Sequence, residues 1–297
     1  MKLLNSMPPH NLFGIEDATY ETAKIVAIPV PYDSTVTYKS GTRDGPDAII
    51  DASRNIELYS ADIHADISKI GIFTTEPLAP DFDSPKGMVD RIAKEVSFML
   101  DDGKVPILLG GEHTIGIGGV QALAGKGMDF SILHFDAHSD SREEMFGTSY
   151  CHGTVISRMR EVCDDYYSIG VRSVNEESAN DKRISYMHDI RFFGIKEVAR
   201  KINKLSSDNI YITFDFDVLD PSEMPSVGTP EPDGFHFSEI QDFFMQLIYN
   251  KNVIGMDFTE LSPIPGLAAP NYLAAKLIYN LIGIAYVLPK QSMQGHI

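Results

Sequence analysis

The chain has 297 residues, of which 43% are hydrophobic, and its formal net charge is -17 at pH 7. This length is typical of one large α/β domain, and the acidic charge argues against nucleic acid or an anionic membrane as a partner. The two cysteines, Cys151 and Cys163, cannot form a disulfide framework, so a reducing, cytoplasmic compartment is predicted. The first apolar run is too short for a signal peptide, and no apolar span is long enough for a membrane helix.

Apolar runs and helical periodicity predict an alternation of strands and helices along the chain. Buried strands are predicted at 24–30, 69–73, 105–109, 130–133, 166–171, 190–193, 209–214 and 253–258. Helices are predicted at 47–53, 86–100, 115–124, 155–162, 195–205, 237–249 and 271–288. This alternation predicts a single α/β domain over residues 1–297, with a three-layer α/β/α fold around a mostly parallel sheet.

Polar side chains follow four of the predicted strands, at the point where each strand ends. His113 follows the third strand and Glu260 follows the last. The fourth strand leads into an acid, an imidazole and an acid at alternate positions, and the seventh leads into two alternating carboxylates. Because the carboxyl ends of parallel strands share one edge of a sheet, these side chains are predicted to meet in one pocket. The residues are His113, Asp136, His138, Asp140, Asp215, Asp217 and Glu260.

These strand ends are more typical of a metal site than of a solvated turn. One acidic cluster alone could be a turn, but two buried strands that each end in alternating carboxylates favour a bound cation. Two histidines and four aspartates are too many ligands for one ion, and they suit two ions that share a bridging carboxylate. A carboxylate-rich site without thiolate favours Mn²⁺ over structural Zn²⁺. Ions paired roughly 3.5–4 Å apart generate hydroxide near neutral pH.

Several neighbouring residues are predicted to have other roles. Asp220 is an alternative ligand, but a turn-capping role is favoured. Glu112 and His134 alternate to the other side of their strands, which predicts a supporting role for Glu112 and a core position for His134. Cys151 stands next to His152, but sequence neighbours rarely present as a nucleophile and its base, so a thiol mechanism is not favoured.

Three motifs resemble those of the arginase/agmatinase (ureohydrolase) family. They are Gly-Gly-Glu-His-Thr at 110–114, Phe-Asp-Ala-His-Ser-Asp at 135–140 and Thr-Phe-Asp-Phe-Asp-Val-Leu-Asp-Pro at 213–221. They occur in the family's order and at similar spacing, and the similarity extends over nearly the whole chain. The resemblance implies an arginase-like fold, two Mn²⁺ ions per subunit and a homo-oligomer, either a trimer or a hexamer. It also implies hydrolysis of a guanidinium carbon–nitrogen bond, with release of urea and an amine.

The resemblance also implies a role for each site residue. One ion would be bound by His113, Asp136, Asp140 and Asp215, and the other by Asp136, His138, Asp215 and Asp217. Glu260 would hold the planar guanidinium of a small cationic substrate through a paired fork of hydrogen bonds. His152 would contact the substrate and protonate the leaving amine, although a helix-start position without catalysis is a fair alternative. Asp140, His152 and Glu260 are therefore the predicted catalytic residues.

The substrate is predicted from the loops around the pocket. The loop at 141–150 resembles prokaryotic agmatinases more than the arginase form, which favours agmatine, hydrolysed to putrescine and urea in polyamine biosynthesis. Glu143 or Glu144 could attract a terminal ammonium, whereas Arg142 could attract a carboxylate. Aminopropylagmatine, guanidinobutyrate, arginine and formiminoglutamate stay open as alternatives. Two other classes also stay open, a metal-dependent amide hydrolase of the deacetylase type and a catalytically silent metal-binding scaffold.

Overall fold

A computed structural model of the chain describes residues 7–248 and 250–289. Its strands are β1 (Ile25–Val30), β2 (Tyr59–Ser60), β3 (Ala65–Asp66), β4 (Ile72–Thr74), β5 (Val105–Gly110), β6 (Ser131–Phe135), β7 (Tyr166–Val171), β8 (Ile184–Tyr186), β9 (Asn209–Asp215) and β10 (Asn252–Thr259). Its helices are α1 (Gly45–Ser53), α2 (Pro85–Asp101), α3 (Gly116–Gly125), α4 (Val155–Arg160), α5 (Met187–Phe193), α6 (Ile195–Leu205), α7 (Phe237–Leu247) and α8 (Ala269–Tyr286). Residue 249, where the helix predicted at 237–249 was expected to end, lies outside the described residues. Within the described ranges, no helix has both the length and the apolar character that crossing a bilayer requires.

The central sheet contains eight strands in the order β4-β1-β5-β10-β9-β6-β7-β8. Every neighbouring pair in it is parallel, so the prediction of a mostly parallel sheet is confirmed. The short strands β2 and β3 form a separate antiparallel pair. The four strands that carry the predicted site residues, β5, β10, β9 and β6, are consecutive at the centre of the sheet. Their carboxyl ends therefore lie side by side at one edge, where open α/β sheets bind ligands.

Helices cover both faces of the sheet because the side chains of a strand point to alternate faces. In β9, Ile210, Ile212 and Phe214 pack in a core cluster with residues of α1, α6, α7 and α8. Tyr211, on the opposite face of the same strand, packs in a second cluster with residues of α2, α3 and α4. Strands buried on both faces read as continuous apolar runs, which is how the sequence predicted them. The predicted three-layer α/β/α fold is confirmed.

The strand predicted at 190–193 is wrong. Those residues belong to α5, in which Met187 and Ile190 are buried while Phe192 and Phe193 are exposed. Two buried residues three positions apart are typical of a helix, and the segment 190–193 was too short to show that spacing. The strand at this edge of the sheet is β8, which pairs with β7.

The strand predicted at 69–73 is only partly right. The extended segment is β4, and a 3-10 helix at Ile67–Ile70 precedes it. Gly71 lies between them with φ +83°, a conformation that glycine adopts at little cost. The helix predicted at 195–205 coincides with α6.

The end of β5 passes very close to the chain that follows β1. A Cβ atom on Gly111 would lie 2.2 Å from the carbonyl oxygen of Tyr32, and the φ angle of this residue is +21°. The Glu112 N–H donates a hydrogen bond to the same oxygen over 2.8 Å. Only glycine fits at this position. The Gly-Gly pair therefore lets the chain turn directly from a central strand into His113.

Candidate metal centre

The structure brings the six predicted ligands together at the carboxyl ends of the central strands. His113 Nδ1 lies 3.0 Å from Asp136 Oδ2. It also lies 3.3 Å from Asp140 Oδ2 and 3.3 Å from Asp215 Oδ2, and none of these side chains is more than 10% exposed. Among the described residues, His113 Nδ1 has no hydrogen-bond partner with acceptable geometry. A buried nitrogen that faces three carboxylate oxygens without a hydrogen bond fits a cation-binding position.

A second group of ligand atoms shares Asp136 with the first. His138 Nδ1 lies 2.8 Å from Asp217 Oδ2 and 3.4 Å from Asp136 Oδ1. Asp136 therefore presents Oδ2 to the first group and Oδ1 to the second, as a bridging carboxylate would. Asp215 directs Oδ2 toward His113, while its Oδ1 accepts a hydrogen bond from the Asp217 N–H over 2.7 Å.

The alternating spacing of the acids has a local structural cause. In both motifs a carboxylate accepts a hydrogen bond from the backbone N–H two residues later. These bonds run from His138 to Asp136 Oδ1 over 2.5 Å and from Asp217 to Asp215 Oδ1 over 2.7 Å. Asp217 Oδ1 accepts from the Ala137 N–H over 3.0 Å, which ties the two motifs together. Each bond holds its carboxylate in one orientation toward the pocket.

The buried carboxylates repel one another. Burial, together with the charges of Asp217 and Asp136, raises the pKa of Asp215 well above its usual range. Burial and the charge of Asp136 also raise the pKa of Asp217. Two divalent ions would relieve this repulsion. The donor set of two imidazoles and four carboxylates, without thiolate, fits paired ions of the Mn²⁺ type.

Two site residues have left-handed backbone conformations that are uncommon outside glycine. Asp140 has φ +43° and Glu260 has φ +67°. The Asp140 carbonyl accepts a hydrogen bond from the Ile156 N–H, and the Glu260 N–H donates to the Gly111 carbonyl, both over 2.9 Å. Such conformations persist only where the surrounding structure enforces them, and they cluster at functional sites.

Two residues that the sequence analysis missed orient the imidazole of His113. Thr213 Oγ1 lies 2.8 Å from His113 Nε2 and donates a hydrogen bond to Asp257 Oδ1 over 2.8 Å. Because the hydroxyl proton is used on Asp257, Nε2 carries the imidazole hydrogen and Nδ1 keeps a lone pair for a cation. In the sequence, Thr213 and Asp257 could both have been recognised as polar residues inside the mostly apolar strands β9 and β10.

His134 and Asp220 have contacts that agree with their predicted roles. The buried His134 places Nδ1 3.0 Å from Ser168 Oγ and Nε2 3.0 Å from Asp136 Oδ2. His134 also lies close enough to His113, Asp136 and Asp140 to join them as a ligand. Because both of its nitrogens have partners, it is better placed to orient Asp136.

Asp220 caps the loop that follows β9. Its Oδ1 accepts a hydrogen bond from the Ser222 N–H over 3.0 Å, and its Oδ2 accepts from the Gly234 N–H over 3.1 Å. Both oxygens are used within this loop, so the contacts match the predicted turn role.

Arg172, which directly follows β7, supports the second ligand group from behind. Its guanidinium donates to the Asp217 and Glu231 carbonyls over 2.7 and 2.8 Å, and to the Pro232 carbonyl over 2.9 Å. Its own N–H donates to the Ala137 carbonyl over 2.8 Å, between two predicted ligands. Arg172 was not among the residues predicted from the sequence. It could have been recognised as a positively charged residue immediately after a buried strand, at the edge of the sheet that carries the site.

Replacement of Arg172 by methionine should lower the free energy of unfolding by about 2 kcal/mol, because several carbonyls lose a charged donor. Manganese affinity of the group that contains Asp217 should fall at least about tenfold. Lysine should recover only part of the loss, since a single ammonium cannot span the same carbonyls. Thermal unfolding and manganese titration would measure both effects. The control is Arg160→Met, which removes a surface contact with Asp164, and equal losses in both variants would contradict this role.

A cleft of about 210 Å³ opens above the ligand cluster. Its lining includes His138, Asp140, Asp215, Asp217, His152 and Glu260. Glu260 Oε1 accepts a hydrogen bond from the His113 N–H over 2.7 Å. Burial and the nearby charge of Glu112 raise the pKa of Glu260 to about 8. A cation bound in the cleft would favour the charged carboxylate, so Glu260 is suited to a cationic ligand.

His152 lies at the side of the cleft, at the start of the turn that precedes α4. Its Nδ1 lies 3.4 Å from Thr35 Oγ1, and its Nε2 lies 3.4 Å from Thr37 Oγ1. Both threonines belong to the loop that connects β1 to α1. Glu112 is buried and accepts hydrogen bonds from Thr35, consistent with its predicted supporting role.

The roles of Arg142, Glu143 and Glu144 were left open by the sequence, and their positions relative to the cleft differ. Arg142 lines the cleft, whereas Glu143 and Glu144 do not. Glu143 pairs with Arg158 over 2.6 Å, and Glu144 is exposed. A terminal ammonium in the cleft would therefore not meet these two carboxylates in this arrangement. The thiol of Cys151 is buried, and burial raises its pKa, which makes it a poor nucleophile.

Comparison with known proteins supports the resemblance seen in the motifs. A family model described as the Arginase family matches residues 23–283. The chain is 36% identical over 284 residues to an N(1)-aminopropylagmatine ureohydrolase of Thermus thermophilus, covering 92% of this chain and 94% of that protein. It is 33% identical over 252 residues to an agmatinase of Bacillus anthracis, covering 83% and 86%. The solved agmatine ureohydrolase of Thermoplasma volcanium has a TM-score of 0.86 and 30% identity, with 99% and 98% coverage. These matches confirm the predicted family and enzyme class, and the chain belongs to the arginase family.

Proposed function

We propose that this protein hydrolyses a guanidinium carbon–nitrogen bond at a two-metal centre and releases urea. The main support for this proposal is that two groups of ligand atoms share Asp136 beneath a cleft that also contains Glu260. A bridging carboxylate suits two ions, and a further carboxylate suits a cationic substrate.

The ligands proposed for the first ion are His113, Asp136, Asp140 and Asp215. Those proposed for the second are His138, Asp217 and the bridging Asp136 and Asp215. Mn²⁺ is the proposed metal, because the donor set is rich in carboxylate and lacks thiolate. When bound, the ions would supply Lewis-acid activation of water near neutral pH.

Glu260 and His152 are proposed to act on the substrate itself. Glu260 holds the guanidinium in place, with its left-handed backbone directing the carboxylate into the cleft. Water adds to the guanidinium carbon and one carbon–nitrogen bond breaks. Both protons of the added water end on the leaving nitrogen, one of them passed on by His152, so the products are urea and a protonated amine.

The proposed substrate is agmatine, which would yield putrescine, with aminopropylagmatine as the second candidate. The names of the relatives from Bacillus anthracis and Thermus thermophilus support both compounds. Arg142 on the cleft lining favours an acidic substrate instead. Urea release by the Mn²⁺-loaded protein, assayed on agmatine, aminopropylagmatine, guanidinobutyrate, arginine and formiminoglutamate (formamide for the last), decides between them. Preference for a compound with a carboxylate would refute the amine-terminated proposal.

Asp140→Asn should lower manganese content and urea release together, because Asp140 Oδ2 faces His113 at the first group of ligand atoms. We expect kcat to fall at least about 100-fold. Metal analysis and steady-state kinetics on the same preparation would measure both quantities. Normal turnover in this variant would refute the two-metal assignment.

The number of metal ions bound per subunit also tests the two alternative functions, a deacetylase-type amide hydrolase and a catalytically silent metal-binding scaffold. A single tightly bound Zn²⁺ with amide hydrolysis would favour the deacetylase type, and two bound ions without turnover would favour the scaffold. We further propose a cytoplasmic homo-oligomer, a trimer or a hexamer. The two free cysteines support the compartment, and light scattering would measure the oligomer.

A further inference from the structure

We infer that Thr35 is a positioning residue that fixes the orientation and the proton location of His152. Thr35 lies on the loop between β1 and α1, far in sequence from the histidine that it contacts. The inference rests on the proposed function, in which His152 protonates the leaving amine.

The Thr35 hydroxyl makes three polar contacts. Its Oγ1 donates to Glu112 Oε1 over 2.7 Å and accepts from the His152 N–H over 3.2 Å. The same oxygen lies 3.4 Å from His152 Nδ1. A hydroxyl has one proton and two lone pairs, so these contacts use its full capacity.

The direction of these hydrogen bonds sets the tautomer of His152. Because the single hydroxyl proton points to Glu112, Thr35 can only accept from the ring. Nδ1 is therefore the donor, and neutral His152 carries its hydrogen there. Nε2 keeps the lone pair, and the Thr37 hydroxyl at 3.4 Å can donate to it.

Glu112 anchors this arrangement to the sheet. Its carboxylate is fully buried at the end of β5. Oε2 accepts from the Thr35 N–H over 2.6 Å, and Oε1 accepts from the Thr114 hydroxyl over 2.6 Å as well as from the Thr35 hydroxyl. Three donors thus surround the Glu112 carboxylate. The Thr35 hydroxyl cannot turn its proton toward His152 without losing its hydrogen bond to Glu112.

The consequence for catalysis is a histidine with a defined proton-exchanging atom. His152 and Thr37 both line the cleft. With Nδ1 committed to Thr35, the ring exchanges protons with the substrate through Nε2. Loss of the Thr35 hydroxyl would free Nδ1 and let the ring rotate or change tautomer, without removing any ligand atom of the metal centre.

The test compares Thr35→Val with Thr35→Ser in the Mn²⁺-loaded protein. Valine keeps the shape and removes the hydroxyl, whereas serine keeps the hydroxyl. We expect Thr35→Val to lower kcat about 30-fold, with KM within about threefold and manganese content unchanged. Thr35→Ser should stay within about threefold of the unmodified protein. The matched control is Thr37→Val, which contacts the other ring nitrogen from an exposed position and should have the smaller effect on kcat.

Glu112→Gln provides a second test that does not depend on valine being tolerated. The amide could donate to Thr35 Oγ1, so the hydroxyl proton would turn toward His152 Nδ1. We expect a fall in kcat of similar size, and a double variant with Thr35→Val should be no worse than either single variant.

Three results would overturn the inference alone, given an active unmodified protein. They are an unchanged kcat in Thr35→Val, a serine variant as impaired as the valine variant, and additive losses in the double variant. An unmodified protein that releases no urea from any guanidine would instead overturn the proposed function, and this inference with it.

Discussion

Asp136→Asn is expected to lower kcat for urea release at least about 1,000-fold, the equivalent of about 4 kcal/mol of lost transition-state stabilisation. Asp136 is the side chain whose two oxygens face different ligand groups, Oδ2 toward His113 and Oδ1 toward His138. Asparagine has a single acceptor oxygen and no charge, so it can serve only one group. Bound manganese should therefore fall to fewer than two ions per subunit.

The measurement is manganese content by elemental analysis, together with kcat on the substrate that the unmodified protein prefers. Asp220→Asn is the matched control, since Asp220 lies on the loop that follows the second motif and uses both oxygens on backbone N–H groups. It should retain both ions and lose only about 1 kcal/mol of stability. Loss of metal from Asp220→Asn, with full metal in Asp136→Asn, would reverse the ligand assignment.

Glu260→Gln is expected to lower kcat/KM about 100- to 1,000-fold, with most of the loss in KM and no loss of manganese. Truncating one partner of a buried charge pair costs about 2–5 kcal/mol, and each 1.36 kcal/mol corresponds to about tenfold. The His113 N–H donates a hydrogen bond to Glu260 Oε1 over 2.7 Å. Glutamine keeps an oxygen that can accept this bond. It removes the negative charge that the guanidinium needs, and its amide hydrogens repel a cation.

If Glu260→Gln keeps both ions, its loss of kcat/KM reflects weaker substrate binding and not loss of metal. Glu143→Gln and Glu144→Gln are suitable controls, because neither side chain lines the cleft and Glu143 already pairs with Arg158. Both should leave KM within about threefold of the unmodified value. A large rise in KM for either control would mean that the loop closes over the substrate, and it would restore the predicted attraction of a terminal ammonium.

Local pattern accounts for most of what the sequence predicted correctly. Strands buried on both faces have continuous apolar runs, so β5, β6, β9 and β10 were recognisable without tertiary information. Parallel strands bring their carboxyl ends to one edge, and this rule was enough to group His113 with the two acidic motifs. One exception was α5, where a predicted segment of only four residues was too short to show helical spacing.

By itself, then, the sequence determined the fold class and the family, and it predicted the ligand set. The partner of each ligand depends on chain segments that are distant in sequence. Thr213 lies 100 positions from His113, and Thr35 lies 117 positions from His152. Arg172 reaches carbonyls 45 and 59 positions away. Hydrogen bonds are short and directional, so such partners become definite only when packing of the sheet sets their distances and angles. The tertiary structure alone therefore decided the imidazole tautomers, the support behind Asp217 and the exclusion of Glu143 and Glu144 from the cleft.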